Sequence, residues 1–336
     1  LNPFPQQTDG ARFLSQRRYA LLADMPRVGK TGASIMAADW AMDASICVLF
    51  YCKSGHLQSM PHDKFYKNKP HNLVKVVNDL CGRYAMTDHY SGTIWTRYYP
   101  GGESAANLLE FFMWAAGQRE DCPAHGVPFQ IMMDPGAANR SHVVHNYCKR
   151  LGIELIHHAS GAARVTGSVE KAHDLARMHF ETRFRFREPQ DVTIDKLNTD
   201  LWSWCAAYCS HNVHGRHKQA RFPMWMSITP EQLRAAVSLE ALRDAAVSEP
   251  ETRRVGNDKR ITFGKPAQQY HLGLVPGIVA GLRVTVASNP FRHPAIDVLY
   301  TDQDTGEESW HVVEPEQLAP GGFPADAPVW GQDMRR

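Results

Sequence analysis

Three acidic residues stand at positions where an α/β protein commonly carries its chemistry. Asp63 lies near the end of a predicted strand, Asp134 directly follows a short apolar strand, and Glu170 lies in the first turns of a predicted helix. Carboxylate oxygens are preferred ligands of hard divalent cations. Two such cations activate the attacking oxygen and stabilise the leaving oxygen when a phosphodiester is exchanged. These residues therefore form a candidate centre for metal-dependent phosphoryl transfer.

The helix around Glu170 predicts which way this carboxylate points. Apolar residues recur at helical spacing and define the face toward the core: Val169, Ala172, Ala176, Phe180 and Phe184. The opposite stripe is polar and consists of Glu170, His173, Asp174, Arg177 and Glu181. Glu170 is thus expected to face a cleft. The alternative is that it is only a favourable acid near a helix N-terminus.

The elements that would position these carboxylates follow an α/β pattern over residues 56–188. Predicted strands cover 57–65, 84–87, 93–99, 129–133 and 153–157, with a tight turn at 88–92. Predicted helices cover 103–118, a segment that ends at 151, and 166–188. A helical linker is predicted over 189–250. Short strands at 260–263, 282–287, 295–301 and 309–313 then predict a small antiparallel barrel over 251–336.

Several of these segments resemble phage Mu-type DDE transposases and retroviral-type integrases. Residues 132–139 (Met-Met-Asp-Pro-Gly-Ala-Ala-Asn) are similar to the family's second-aspartate motif. Residues 166–171 (Thr-Gly-Ser-Val-Glu-Lys) are similar to the run that ends in the catalytic glutamate and a basic residue. Thirty-five residues separate Asp134 from Glu170, which is the spacing for which the acidic motif is named. Residues 63–70 and 87–92 resemble the first-aspartate segment and the second-strand turn.

The resemblance implies an RNase H-like α/β fold, in which helices flank a mixed five-stranded sheet. It implies an enzyme that cleaves DNA 3′ ends and transfers them to target DNA with two Mg²⁺ or Mn²⁺ ions. The implied catalytic metal ligands are Asp63, Asp134 and Glu170, with Asn139 and Lys171 as groups that position metal-bound water or phosphate. Asp88 is a rival first aspartate, but it lies inside the turn and only 46 residues before Asp134, which favours Asp63.

Residues 251–331 resemble the small β-barrel that follows the catalytic domain of Mu-type transposases. The similar segments are Arg253-Arg254-Val255, the strand at 281–286 and the closing run at 322–329. The resemblance implies DNA binding through backbone phosphates. The candidate DNA contacts are Arg253, Arg254, Lys259 and Arg260, together with Arg183 and Arg185 late in the catalytic helix. The alternative for each is solvated surface charge.

The first 55 residues carry a different signal. Gly29, Lys30 and Thr31 form the end of a Walker A loop, in which backbone amides and the lysine would hold nucleotide phosphates, but Asp24 replaces its first glycine. Residues 3–6, 20–24 and 29–32 resemble the opening of phage superfamily 2 helicases, in a β-loop-α-β pattern whose second helix leads to a strand at 46–51. No Walker B carboxylate follows. We interpret residues 1–55 as a helicase-like P-loop fragment, either a fusion or a mis-assembled reading frame.

Net charge, apolar runs and cysteine content exclude few classes of function. The net charge is +2, so overall charge does not indicate nucleic-acid binding, and no run of 18 apolar residues predicts a membrane span. Seven scattered cysteines favour reduced thiols in a cytoplasmic protein. A compressed zinc-like spacing joins Cys205, Cys209, His211 and His214, for which buried thiols and solvent-facing histidines are the favoured reading.

Three functions remain open at this point. The favoured one is a DNA transposase of a phage Mu-like mobile element, expected to work as a nucleoid-associated homo-multimer on transposon ends and target DNA, with a possible ATPase partner that selects the target. The second is an ATP-dependent helicase-like protein. The third is a non-catalytic DNA-binding remnant of a transposase.

Overall fold

The structure is a computed structural model that describes residues 39–53, 56–59, 80–133, 141–157, 167–186, 192–230, 232–264, 266–301 and 308–317, together with Gly306, Ala319 and Ala325. The chain divides into two compact units, and the boundary falls between Ala245 and Ala246. The first unit contains a mixed sheet with flanking helices. The second unit is all-β.

The first unit contains six strands and six helices within the described residues. The strands are β1 (Asp39–Lys53), β2 (His56–Ser59), β3 (Leu80–Asp88), β4 (Ile94–Pro100), β5 (Gln130–Met133) and β6 (Glu154–His157). The helices are α1 (Ala105–Ala116), α2 (His142–Arg150), α3 (Gly167–Leu175), α4 (Ile194–His211), α5 (Arg221–Trp225) and α6 (Leu239–Ala245). After α3 the chain continues as a π-helical turn over Ala176–Phe180 and a 3₁₀ segment over Glu181–Phe186.

The strands form one mixed sheet in the order β4-β3-β1-β5-β6, with the short β2 also paired to β1. Strand β3 runs antiparallel to its neighbours β4 and β1, whereas β1, β5 and β6 run parallel. This confirms the predicted mixed five-stranded α/β sheet with flanking helices. The parallel edge is joined through helix α2, as expected, because parallel neighbours need a crossover connection.

Alternation along β1 sends its side chains to two different layers. Trp40 and Met42 are buried on the side of α1, where the Trp40 ring lies 4.8 Å from the ring of Trp95 and 6.2 Å from that of Phe112, measured between centroids. Ala41 and Asp43 face the opposite side, which α3 covers. The central strand is therefore buried against helices on both faces.

Helix α1 shows why this sequence folds locally as it does. Ser104 caps its N-terminus by accepting a hydrogen bond from the backbone N–H of Asn107 at 3.1 Å. The helix then presents a wide apolar surface, and its buried residues include Leu108, Phe111 and Phe112. The predicted helix at 103–118 and strands at 129–133 and 153–157 differ from the observed elements by at most two residues at either end.

The start of the sheet differs from the expectation for the first 55 residues. The sequence pattern predicts a helix before the strand at 46–51, but the strand begins at Asp39 and pairs with both β3 and β5. Pairing on both sides outweighs the poor strand propensity of its alanine and aspartate residues. Residues 39–53 thus belong to the sheet of the core rather than to a separate fragment. Gly29, Lys30 and Thr31 lie outside the described residues.

The second unit consists of two antiparallel sheets around a shared apolar core. One sheet has the order β12-β11-β10-β7, formed by Glu308–Val313, Ile296–Thr301, Arg283–Ser288 and Glu251–Arg254, and the other pairs β8 (Arg260–Phe263) with β9 (Gln268–His271). The core includes Ile261, Tyr270, Val286 and Val298. The four predicted strands are present within one residue of their expected bounds, and β7 and β9 are additional. Among the helices of the described residues, none has the length and apolar character to span a bilayer.

Candidate functional site

Asp43 lies on the central strand and points toward helix α3. It is directly opposite Ala85 of β3 in the antiparallel register, so both side chains lie on the same face of the sheet. That face is covered by α3, which packs on β1 and β3. The Asp43 side chain is 27% exposed. The carboxylate therefore stands at the border between the sheet and solvent, beside the small side chain of Ala85.

The parallel register of β1 and β5 places the end of β5 beside Asp43. Met42 of β1 pairs with Met133, the last residue of β5. Asp43 follows Met42 in the sequence, and Asp134 follows Met133. Asp134 itself lies outside the described residues, as do Asp63 and Asn139 of the predicted site.

Helix α3 is anchored at its N-terminus close to the same strands. The hydroxyl oxygens of Ser168 and Thr87 are 2.9 Å apart, and Thr87 is opposite Ala41, two residues before Asp43. Val169 is buried, whereas Glu170 in the first turn is exposed. Glu170 thus faces away from the core, as its helical spacing predicts.

His173, one turn after Glu170, lies against Asp43. Its Nε2 atom is 3.7 Å from Oδ2 of Asp43, and the residue is only 8% exposed. On the other side of the ring, Nε of Arg83 donates a hydrogen bond to Nδ1 at 3.2 Å. Burial, followed by the nearby charge of Arg83, lowers the pKa of His173 to about 3. The imidazole is therefore neutral at physiological pH.

His173 is held by a buried network of charged and polar side chains that runs through Arg83. The Arg83 Nη2 atom donates to the main-chain oxygen of His173 at 2.8 Å, and Nη1 forms an ion pair with Glu181. The hydroxyl of Tyr98 donates to Oε1 of the same glutamate at 2.6 Å. This corrects the predicted polar stripe of the helix, because His173 and Glu181 are buried rather than exposed. The π-helical turn at Ala176–Phe180 changes the helical phase ahead of Glu181.

Asp88, the rival first aspartate, is a turn residue. It is 5% exposed, and its Oδ2 atom accepts hydrogen bonds from the backbone N–H of Ser91 at 2.7 Å and from the Ser91 hydroxyl at 2.5 Å. Gly92 completes the turn with a φ of 70°. The predicted turn at 88–92 is thus present, and the carboxylate of Asp88 is used to stabilise it.

The remaining predicted DNA contacts are cations in both units, and they differ in how available they are. Lys171 and Arg183 are exposed, and Arg185 lies in the 3₁₀ segment after α3. In the second unit, Arg254 of β7 and Lys259 are exposed. Two of the predicted contacts, by contrast, are held by carboxylates of their own unit. Arg253 pairs with Glu251, and Arg260 binds Glu316 through Nε at 2.7 Å and Nη2 at 2.6 Å.

The cysteines and His211 of the zinc-like spacing contact main-chain oxygens instead. The Sγ atoms of Cys205 and Cys209 are buried and lie 3.4 and 3.9 Å from the main-chain oxygen of Ile94. Nδ1 of His211 is 2.9 Å from the main-chain oxygen of Ala207. Within the described ranges, no group of three or more His, Cys, Asp or Glu side chains is arranged to hold a metal ion.

Sequence reasoning missed Asp43, although a signal was present. The pattern predicts a strand at 46–51, and extending this strand toward the N-terminus would have placed a carboxylate in its alternating pattern. The phosphate-loop interpretation of residues 1–55 assigns this segment to a helix instead. His173 and Arg83 gave no comparable signal, because their contact joins residues 90 positions apart.

Comparison with known proteins finds similarity among solved structures. No protein-family model and no curated protein matches the sequence. A chain of the simian T-cell lymphotropic virus intasome in complex with PP2A regulatory subunit B56 gamma is 13% identical and has a TM-score of 0.40, with 84% of this chain and 80% of that chain covered. The catalytic core domain of BIV integrase is 16% identical, with a TM-score of 0.37 and coverage of 57% and 95%.

The catalytic core domain of HTLV-2 integrase, in its trimeric form in complex with magnesium, is 15% identical to this chain. The TM-score is 0.36, and the similarity covers 56% of this chain and 95% of that domain. All three likenesses are low in sequence identity and have TM-scores of 0.40 or less.

Proposed function

We propose that this chain is a DDE-type polynucleotidyl transferase that cleaves DNA 3′ ends and transfers them to target DNA, as transposases and integrases do. One observation supports this most directly. Asp43 lies on the central strand beside the helix that carries Glu170, and its strand neighbour Met42 pairs with the residue that precedes Asp134. Asp43 and the helix that carries Glu170 thus lie in one region of the fold, and we assign Asp134, which follows the neighbouring strand end in the sequence, to the same site.

We assign the metal ligands as Asp43, Asp134 and Glu170, so that Asp43 takes the place first predicted for Asp63. The donor set suits Mg²⁺ or Mn²⁺, because these ions prefer carboxylate oxygens. Asp43 is partly exposed and Glu170 is exposed, so neither carboxylate is sealed from an incoming ion. Asp63 remains the alternative, since it follows β2 by only a few residues in the sequence.

When bound, two divalent ions would supply charge neutralisation and activation of the attacking hydroxyl or water. The chain's own contribution is to orient the carboxylates and to hold the DNA backbone. Lys171 follows Glu170 on α3 and is exposed, so it is placed to contact a phosphate close to the reacting one. Arg183 lies further along the same stretch. In the second unit, Arg254 and Lys259 are the cations we assign to DNA. Assembly of several copies on DNA is part of the same proposal.

Nicking of a supercoiled plasmid by the full chain in Mn²⁺ tests the proposal without knowledge of the natural DNA ends. The variants Asp43→Asn, Asp134→Asn and Glu170→Gln are expected to lose detectable nicking, because each removes one charged ligand from the site. Asp63→Asn is expected to retain it. Asp174→Asn is the matched control, since Asp174 lies on the same helix as Glu170 and pairs with Arg177 at the surface.

Each outcome distinguishes between the alternatives. Loss of nicking in Asp63→Asn together with full activity in Asp43→Asn would restore Asp63 as the first ligand. Full activity in Glu170→Gln would refute the enzyme assignment. DNA binding by the unaltered chain, with no Mn²⁺-dependent nicking, would instead identify a non-catalytic remnant.

A further inference from the structure

The ring of His173 is held in one tautomer by Arg83. Nδ1 receives a hydrogen bond from Nε of the guanidinium, which carries donors only. Nδ1 must therefore be the unprotonated nitrogen, and the proton of the neutral ring must lie on Nε2. A second hydrogen bond, from Nη2 of Arg83 to the main-chain oxygen of His173, fixes the guanidinium relative to the helix.

The protonated nitrogen points at Asp43. Nε2 is buried and lies 3.7 Å from Oδ2 of Asp43, and the ring also forms a hydrogen bond with the backbone of Asp43. The donor therefore lies beside a partly exposed carboxylate, at a separation about 0.7–0.8 Å longer than an ordinary N–H···O hydrogen bond.

Arg83 is itself held in place by buried side chains. Its other terminal nitrogen pairs with Glu181, which is 2% exposed and also accepts from the hydroxyl of Tyr98. All four groups are buried, so the line from Tyr98 through Glu181 and Arg83 to His173 holds its side chains in one arrangement. Carboxylates that bind metal ions are commonly oriented by such hydrogen bonds from neighbouring groups.

We infer that His173 is a positioning residue that donates from Nε2 to the carboxylate of Asp43 and holds it in the orientation that binds a divalent ion, with Arg83 selecting the tautomer that makes this possible. The inference deepens the proposed function and rests on the assignment of Asp43 as a ligand. His173 itself touches neither the DNA nor the ion.

Two measurements on the full chain test this inference. Long-range ¹H–¹⁵N correlation spectra report the tautomer of each histidine ring, and the signal of His173 is identified by its absence from His173→Gln. The expected result is a neutral ring protonated at Nε2. In Arg83→Met the constraint on Nδ1 is removed, so a mixture of tautomers is expected. A proton on Nδ1 of the unaltered chain would overturn the inference.

Calorimetric titration with Mn²⁺ alone is the second measurement. His173→Leu keeps the apolar packing but has no donor, and its Mn²⁺ affinity is expected to fall about 10–100-fold. The side-chain amide of His173→Gln can place an N–H near the position of Nε2 and should restore most of the affinity, whereas the shorter amide of His173→Asn should not. His179→Leu is the control, because His179 is an exposed histidine in the π-helical turn that follows α3.

The outcomes separate the inference from the proposed function. Unchanged Mn²⁺ affinity in His173→Leu, together with a large loss in Asp43→Asn, would refute the positioning role and leave the metal site intact. Unchanged affinity in Asp43→Asn would refute the metal site. Equal losses in the leucine and glutamine variants would show that only the shape of the ring matters, which also overturns the inference.

Discussion

The side-chain amide of Asn198 on α4 forms both hydrogen bonds that a neighbouring strand would form with Tyr98. Its Oδ1 atom accepts from the backbone N–H of Tyr98 at 2.7 Å, and its Nδ2 atom donates to the Tyr98 oxygen at 2.9 Å. Tyr98 lies on β4, which is the edge of the mixed sheet. One helix side chain therefore closes part of an edge that would otherwise present unpaired backbone groups.

Replacing this amide should destabilise the fold strongly. Asn198→Ala leaves a buried donor and a buried acceptor of Tyr98 without partners, and each such group costs about 1–3 kcal/mol. We expect the free energy of unfolding, measured by urea denaturation, to fall by about 2–5 kcal/mol. The control is Thr199→Ala, because the hydroxyl of Thr199 is exposed and bonds only within its own helix. A loss no larger than that of the control would show that β4 is closed by other means.

The Arg83–Glu181 pair should show strong coupling in a double-mutant cycle. Both side chains are almost fully buried, so removing one partner leaves an uncompensated charge, which costs about 3–5 kcal/mol. Arg83→Met and Glu181→Leu should each be that destabilising, while the double variant should cost clearly less than their sum. Urea denaturation of all four proteins measures the difference. Additive losses would contradict a direct ionic interaction within the fold.

The pH dependence of stability should contain a contribution from Asp39. Burial, followed by the charges of Asp88 and Glu154, raises the pKa of Asp39 to about 8, from an ordinary value of 3.8. The folded state then binds more protons than the unfolded state between about pH 4 and pH 8, so this residue destabilises the fold increasingly as the pH rises through that window.

Asp39→Asn removes this titration and resembles the protonated side chain. The variant should match the unaltered protein near pH 4 and be more stable near pH 8, by an amount on the order of 1.4 kcal/mol per unit of pKa difference. Thermal unfolding at four or five pH values measures the change. Asp200→Asn serves as the control, since Asp200 is an exposed carboxylate in a surface ion pair. A stability difference that does not vary with pH would contradict the raised pKa.

The elements that sequence predicted well are those whose own residues determine their type. Strand β5 is a short apolar run bounded by turn residues, and α1 carries a broad apolar face over three turns, so local pattern suffices for both. Strand β1 is different, because Asp39, Ala41 and Asp43 are poor strand formers. Its conformation depends on pairing with β3 and β5, which local periodicity does not contain.

Sequence patterns could predict only part of the candidate site, for the same reason. Glu170 could be found from helical spacing, since its neighbour Val169 marks the buried face of α3. The burial of Glu181 could not, because it follows from a π-helical turn and from an ion pair with a residue 98 positions earlier. Long-range pairing of charged groups reverses the usual rule that polar residues of a helix face solvent.

Gly126 should be intolerant of a side chain. Its φ is 110°, and a Cβ atom at this position would lie 2.8 Å from the main-chain oxygen of Arg234. Gly126→Ala therefore combines an unfavourable backbone conformation with a steric overlap, and we expect it to cost at least about 1–3 kcal/mol of unfolding free energy. Gly215→Ala is the matched control, because a Cβ atom there would have no neighbour within 4 Å and the backbone is outside the left-handed region. Equal effects of the two substitutions in urea denaturation would contradict this account.

DNA binding by the second unit should depend on its two exposed cations. Arg254 and Lys259 are exposed, whereas Arg260 is held by Glu316 and Asp258 and is less available to a phosphate. Each lysine or arginine that neutralises a phosphate adds about 0.9 to the slope of log affinity against log salt concentration. The full-length double variant Arg254→Ala/Lys259→Ala should therefore bind a mixed-sequence duplex more weakly at low salt, and with a slope about 1.8 smaller in magnitude. Fluorescence anisotropy over a series of KCl concentrations measures both quantities.

The control is Lys196→Ala, which removes one exposed charge from the first unit, where Lys196 pairs with Asp200. This variant should leave the slope unchanged. If the double variant keeps the slope of the unaltered chain, Arg254 and Lys259 are solvated surface charges and the DNA contacts lie elsewhere.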